Sequence, residues 1–113
     1  MRLIPFLLVL GASPALAGQF DGLYRPDGAV TWDCSLVGSD GGAILIKDDV
    51  LHGVESLCRL TNPVAVNGMS AVLYDAECNG EGMSYGYRLM LMRVPEGLAV
   101  IEDGFVSILK TCQ

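Results

Sequence analysis

The stretch MSAVLYDAECNGEGMSYGYRLMLMRV, residues 69–94, contains the pattern that decides the fold. It consists of two runs in which side chains of different polarity alternate, and the glycine-rich segment NGEG, residues 79–82, separates them. Alternation with a period of two is typical of a strand with one buried face, and a short glycine-containing break is typical of a hairpin. The stretch therefore predicts two antiparallel strands, of which the second, residues 83–94, is the longest in the chain.

The rest of the chain repeats this pattern on a smaller scale. Further short apolar or alternating runs are FDGLY, AVTWDCSL, GAILIK, VLHGVESLC, LAVIED and FVSILKTC, separated by turn sequences such as RPDG, Asp48-Asp49, PEG and Asp103-Gly104. RLTNPV, residues 59–64, is expected to be a loop, because Pro63 has no amide donor. The pattern predicts an all-β fold of about eight strands, an antiparallel meander closed as a β-barrel or a two-sheet sandwich, since closure removes exposed sheet edges.

Residues 1–17 have the features of a signal peptide. A positively charged start is followed by a short apolar run and by Ala15-Leu16-Ala17, which places small residues where a signal peptidase reads them. The apolar run is too short for a transmembrane helix, which needs about 20 residues. We therefore expect a single mature domain, residues 18–113, without an integral membrane span, and a periplasmic or secreted location.

The charge balance limits the classes of partner. The chain has 7 Lys and Arg against 13 Asp and Glu, a net charge of −6. Loss of Arg2 with the signal peptide would make the mature charge −7. A strongly acidic protein is repelled by nucleic acid and by anionic membrane surfaces. No nucleic-acid partner is expected, whereas a basic protein partner is compatible with this charge.

Four cysteines, Cys34, Cys58, Cys78 and Cys112, predict two disulfides in an exported chain. None forms the closely spaced pair that structural zinc or a thioredoxin-like redox site uses. Three pairings are open from spacing alone. The expected strand order favours Cys58 with Cys112 and Cys34 with Cys78. With His52 as the only histidine, the sequence indicates no metal site and no cofactor.

Four aromatic residues are the candidate binding residues: Tyr74, Tyr85, Tyr87 and Trp32. Tyr85 and Tyr87 share a strand face, and Tyr74 lies across the predicted hairpin, so the three tyrosines can form a platform for a partner. The competing interpretation places all of them in the core. Trp32 is expected to pack beside a disulfide, because Cys34 is on the same strand face.

Asp75, Glu77 and Glu81 are the candidate acid and base groups. Asp75 and Glu77 are two residues apart on one strand face, and paired carboxylates can act in hydrolysis or bind calcium. The alternative is that they mark the solvated face of a half-buried strand. No nucleotide-binding, nucleophile-elbow or zinc-protease motif is present, so no catalytic residue is assigned.

The tripeptide Gly22-Leu23-Tyr24 is followed by a predicted strand that contains Trp32. In this arrangement the chain resembles lipocalin-type and other small β-barrel proteins of bacterial envelopes. The resemblance covers Gly22, Tyr24 and Trp32, and it implies a barrel with a pocket for a small ligand. In its acidity, cysteine content, predicted strands and size the chain is also similar to small exported lysozyme-inhibitor proteins, which implies a protein partner. No inhibitor loop can be matched residue by residue, so no functional position is transferred.

Three functional hypotheses follow. The first is a non-enzymatic exported binding module, an inhibitor or an envelope interaction protein. The second is a lipocalin-like small-molecule binder, and the third is a hydrolase that uses paired carboxylates. A contiguous exposed apolar patch would favour the binding module. An enclosed cavity of about 300 Å³ or more would favour the small-molecule binder, and polar groups that converge in a cleft would favour the hydrolase.

Overall fold

A computed structural model describes residues 18–26, 33–38 and 42–112. The predicted signal peptide, residues 1–17, and Trp32 lie outside the described residues. The strands within them are β1 (Gly22–Pro26), β2 (Asp33–Val37), β3 (Gly42–Lys47), β4 (Val50–Gly53), β5 (Ser56–Ala65), β6 (Ala71–Gly80), β7 (Met83–Val94), β8 (Gly97–Glu102) and β9 (Phe105–Thr111).

Eight of these strands close into an antiparallel barrel. Strands β3 to β9 pair in sequence order, and β1 completes the ring by pairing with β9 on one side and with β3 on the other. Strand β2 is an additional strand, paired in parallel with β3. The predicted all-β fold and its closure are confirmed, and the closed form is a barrel. Closure leaves the strands of the ring without free edges, which accounts for a stable meander in so short a chain.

Two-residue turns join most neighbouring strands. Asp48 and Asp49 both have positive φ, 51° and 63°, and so do Glu81 and Gly82, at 52° and 78°. Two consecutive left-handed residues define the type I′ turn, whose twist matches that of the strands it connects. The turns predicted at Asp48-Asp49 and within NGEG are therefore confirmed.

The barrel has two distinct ends. The end that contains the turns at residues 48–49 and 95–96 is the base, and the end that contains the turns at 54–55, 81–82 and 103–104 is the mouth. At the base, Phe20 is buried among core residues, and its carbonyl oxygen accepts a hydrogen bond of 2.7 Å from the Tyr24 hydroxyl. The N-terminal segment thus plugs the base.

The lower part of the barrel is filled with side chains. Alternate residues of each strand point inward, and they form one continuous core with the plug at the base. Its largest fully buried members are Tyr24, Tyr74, Phe20, Ile46, Leu89, Leu91, Leu98 and Val72. Above this core, at the mouth, the barrel encloses free space.

Two expectations about β4 and β5 are wrong. The segment 59–64 is not a loop, because β5 continues through it with a shifted register between Thr61 and Val64. Asn62 adopts a positive φ of 52° there, and this bulge accommodates Pro63, which cannot donate to the ladder. The run VLHGVESLC is not one strand either, since a turn at Val54-Glu55 divides it. The described residues therefore form nine strands.

The presence of two disulfides is confirmed, but the favoured pairing is wrong. Cys58 is bonded to Cys78, its direct partner across β5 and β6, and Cys34 is bonded to Cys112. The turn at residues 54–55 is the reason, because it reverses the chain before Cys58 and places this residue near the start of β5, opposite the end of β6. Two disulfides point to an oxidising, extracytoplasmic compartment.

Candidate binding site at the mouth of the barrel

A cavity of about 160 Å³ lies inside the mouth, above the packed core. Strands from opposite sides of the ring contribute to its wall, so the cavity exists only because the barrel closes. Its lining residues are Ile44, Leu51, Tyr87, Val100, Glu102, Ser107 and Leu109. Four of these are aliphatic, which makes the wall apolar with a few polar groups.

Three polar side chains line this apolar cavity: Glu102, Tyr87 and Ser107. They occupy inward positions because of register, since Glu102 is opposite the buried Leu89 and Ser107 is opposite Val100. Burial raises the pKa of Tyr87, with smaller contributions from the negative charge of Glu102 and from Tyr85. The phenol is therefore a neutral hydroxyl group at physiological pH.

The Glu102 carboxylate has no basic partner among the described residues. Both ion pairs found there involve other carboxylates, those of Glu77 and Asp75. The Glu102 side chain is half-buried and lines the cavity wall together with Tyr87 and Ser107. A cation that enters the cavity can therefore pair with this carboxylate.

Tyr85 and Tyr87 form the predicted aromatic pair, whereas Tyr74 lies apart from them. The rings of Tyr85 and Tyr87 are stacked, with centroids 6.4 Å apart and an angle of 9° between their planes. Tyr85 is 46% exposed and Tyr87 is half-buried beside the cavity. Tyr74 is buried in the core and contacts Phe20 edge-on. The structure brings together two of the three tyrosines, at the edge of the mouth.

Exposed apolar side chains surround the mouth. Met83, Tyr85 and Phe105 lie on inward positions of β7 and β9 at the level where the barrel wall ends, and Val54 lies in a turn. Met83 is 67% exposed and Phe105 is 59% exposed. We call the set Val54, Met83, Tyr85 and Phe105 the mouth rim.

The turns of the mouth are acidic. Glu55, Glu81 and Asp103 lie in the three turns, and Glu102 begins the last of them. A depression of about 380 Å³ between two of these turns is lined by Val54, Glu55, Ser56, Gly80, Glu81, Met83 and Tyr85. None of the six basic side chains among the described residues lies in these turns. The mouth thus combines exposed apolar area with uncompensated negative charge.

The predicted acid and base candidates lie outside the mouth cavity. Asp75 and Glu77 are on the outer wall of the barrel, where they pair with Arg88 at 3.9 Å and with Arg59 at 3.4 Å. All four side chains are largely exposed to solvent. Glu81 lies in a turn of the mouth. The structure does not bring these three carboxylates together, and in the described residues no group of three His, Cys, Asp or Glu is placed to hold a metal ion.

A pattern in the sequence points to Glu102, which is not among the candidate residues predicted above. In LAVIED, Leu98, Val100 and Glu102 alternate with the other residues, so they share one strand face. A carboxylate at the end of an otherwise apolar face is unusual and indicates a special position. Ser107 and Phe105 gave no comparable signal, because their significance depends on the strand pairing.

Comparison with known proteins does not add to this picture: no family model, no curated protein and no solved structure matches the chain. Within the described residues, no helix is long and apolar enough to cross a membrane. The function of the mouth is therefore inferred from the residues that form it.

Proposed function

We propose that this protein is an exported, non-enzymatic binding module that recognises a basic protein partner through the mouth rim. The single observation that carries the proposal is the combination, at one end of the barrel, of exposed Met83, Tyr85 and Phe105 with carboxylates in all three turns. Apolar and aromatic side chains that remain exposed on a small soluble domain mark interaction surfaces. The surrounding negative charge favours a partner of opposite charge and accelerates its association.

The scaffold beneath the rim is suited to rigid recognition. Tyr85 is directly opposite Cys78 in the β6–β7 pairing, and Cys78 is cross-linked to Cys58 on β5. One of the two aromatic side chains of the mouth rim, Tyr85, therefore stands beside a covalently cross-linked part of the sheet. A preorganised surface loses little conformational entropy on binding, which favours affinity.

The size of the mouth cavity favours a protein partner over an enclosed small molecule. Pockets for drug-sized ligands measure about 300–1,000 Å³, and the cavity inside the mouth has about 160 Å³. The larger depressions, of about 320 to 560 Å³, lie outside this cavity, and the largest of them is at the base, beside Pro95 and Glu96. A lipocalin-like function would require a deeper opening of the packed barrel. We propose a periplasmic or secreted location, in line with the two disulfides.

Site-specific photo-cross-linking tests the proposal. A benzophenone amino acid at position 83 or at position 105 samples the mouth rim, and the same group at Met69, which is 51% exposed and lies outside the mouth, is the matched control. We expect rim adducts with one basic protein, which disappear when salt is raised because the charge attraction is screened. Identical adducts from all three positions, or none from the rim, would contradict the proposal.

Substitutions supply a second measurement on the partner found in this way. Met83→Ser with Phe105→Ser removes apolar rim area, and Val64→Ser with Met69→Ser removes similar exposed apolar side chains elsewhere. We expect the rim pair to weaken binding at least tenfold and the control pair to leave it within twofold. Equal effects of the two pairs would count against recognition through the rim.

A further inference from the structure

We infer that the mouth cavity is a binding site for a primary ammonium group carried on a short unbranched alkyl stem. The inference deepens the proposed function and rests on it for the source of the cation, which would be a lysine side chain of the basic partner. Two features of the described residues carry it: the lining chemistry of the cavity and its volume.

The lining chemistry selects a cation with several hydrogen-bond donors. Glu102, Tyr87 and Ser107 are the three polar side chains of the wall, and each offers at least one acceptor oxygen. An ammonium group has three N–H donors and no acceptor. Its positive charge supplies the partner that the Glu102 carboxylate lacks among the described residues.

The apolar part of the wall selects the stem. Ile44, Leu51, Val100 and Leu109 form the apolar part of the same wall. A lysine stem of four carbons is apolar and can be buried while its charged head is held by polar groups. An apolar cavity of about 150 Å³ accommodates a molecule as large as benzene, so the 160 Å³ of the mouth is sufficient for a butyl chain with its ammonium group.

Titration of the purified protein with n-butylammonium chloride tests the site directly. We expect chemical-shift changes at the amides of Leu51, Val100 and Ser107, with an affinity on the order of millimolar, as is reasonable for so small a ligand. Neutral n-butanol has the same stem and should bind at least tenfold more weakly. A comparison of the affinities for n-butylammonium and n-propylguanidinium shows whether the site selects an ammonium group or accepts any alkyl cation. Equal affinities for butanol and butylammonium would overturn the inference.

Glu102→Gln is the decisive variant, because it removes the charge and keeps the shape. We expect it to weaken butylammonium binding at least tenfold, whereas Glu81→Gln, which removes a carboxylate from a turn of the mouth and not from the cavity wall, should change it less than twofold. Ser107→Ala is a second cavity variant, which guards against a folding defect in the first. Unchanged binding in both cavity variants would refute the site.

The inference and the proposed function fail in different ways. If Glu102→Gln leaves the cross-linked partner bound while Met83→Ser with Phe105→Ser releases it, the rim recognises the partner and the cavity is not a lysine site. If butylammonium binds in a Glu102-dependent manner and no partner is cross-linked, the proposed function fails and the cavity serves free alkylammonium compounds. Loss of partner binding in Glu102→Gln, with butylammonium competing for the wild-type protein, supports both.

Discussion

Arg93 on β7 lies over Phe20 at the base of the barrel, with its guanidinium carbon 5.6 Å from the ring centroid. The same guanidinium donates a hydrogen bond to the carbonyl oxygen of Gln19, a residue 74 positions away in sequence. The Arg93 side chain thus contacts both the Phe20 ring and the backbone of the preceding residue. The contact ties the start of the described chain to the last turn-proximal residues of β7, at the base of the barrel.

The first prediction concerns this contact. Arg93→Ala should lower the free energy of unfolding by about 1–3 kcal/mol, because it removes a cation–π contact and a hydrogen bond from a charged donor. Arg88→Ala is the matched control on the same strand, and its exposed ion pair with Asp75 should contribute less than about 1 kcal/mol. Urea denaturation of the two variants measures the difference, and equal losses would show that Arg93 does not anchor the plug.

The second prediction separates the two disulfides. Cys34–Cys112 closes a sequence separation of 78 residues and Cys58–Cys78 one of 20. In the chain-entropy model these loops correspond to about 4.5 and about 3.3 kcal/mol of stabilisation. Replacement of Cys34 and Cys112 by alanine should therefore lower the free energy of unfolding, measured by chemical denaturation, more than replacement of Cys58 and Cys78 does. Peptide mapping of the unreduced protein should recover these two linkages. A larger loss for Cys58–Cys78 would mean that its packing in the core outweighs the loop entropy.

The third prediction concerns the turn at the base. Asp48 and Asp49 both adopt positive φ, and Asn-Gly is the preferred pair for such a type I′ turn. Asp48→Asn with Asp49→Gly should raise the free energy of unfolding by about 0.5–1 kcal/mol. The hydrogen bonds made by this turn use the Asp48 amide and the Asp49 carbonyl oxygen, so they survive the change. A lower melting temperature for the double variant would contradict the prediction.

The fourth prediction concerns alkaline pH. Burial, with smaller contributions from the charges of Asp49 and Asp21, raises the pKa of Tyr74 to about 12. The unfolded chain ionises at its ordinary pKa near 10. The stability associated with the neutral phenol is thus fully present below about pH 10 and is lost as the pH rises towards 12.

Tyr74→Phe tests this linkage. The variant cannot ionise at position 74, so its free energy of unfolding should fall less steeply between pH 10 and 12 than that of the wild type. Val64→Ser, which changes an exposed side chain that does not titrate, is the control and should retain the wild-type slope. Parallel pH profiles for the wild type and Tyr74→Phe would contradict the assignment of the raised pKa to Tyr74.

Local patterns were sufficient to predict the elements around the longest hairpin. Strand β7 follows the alternation of residues 83–94, and the turns at Asp48-Asp49 and Glu81-Gly82 each contain Asp or Gly, the residue types that tolerate positive φ. The turn at Val54-Glu55 was missed because neither residue is a typical turn former, although Glu55 adopts a φ of 49°. There the pairing of β4 with β5 outweighs local preference.

The same missed turn explains the wrong disulfide pairing. With residues 50–58 as one strand, Cys58 falls at the far end of the sheet, whereas the turn places it beside Cys78. Similarly, Pro63 suggested a loop because its missing amide donor is a local property, but a bulge in β5 accommodates it. Both errors have one cause: the pairing of a strand with its neighbours, and not the local sequence alone, decides where that strand ends.

For this protein the amino-acid sequence by itself determined the all-β class, the number of disulfides, the acidic charge and the shared face of Tyr85 and Tyr87, because each depends on composition or on a period of two residues. Only the tertiary structure decided which cysteines pair, that Tyr74 is in the core, and that Glu102, Tyr87 and Ser107 surround one cavity. Those facts depend on which strands are neighbours and on where the sheet closes. Both are set by long-range pairing across the barrel, which local sequence patterns do not encode.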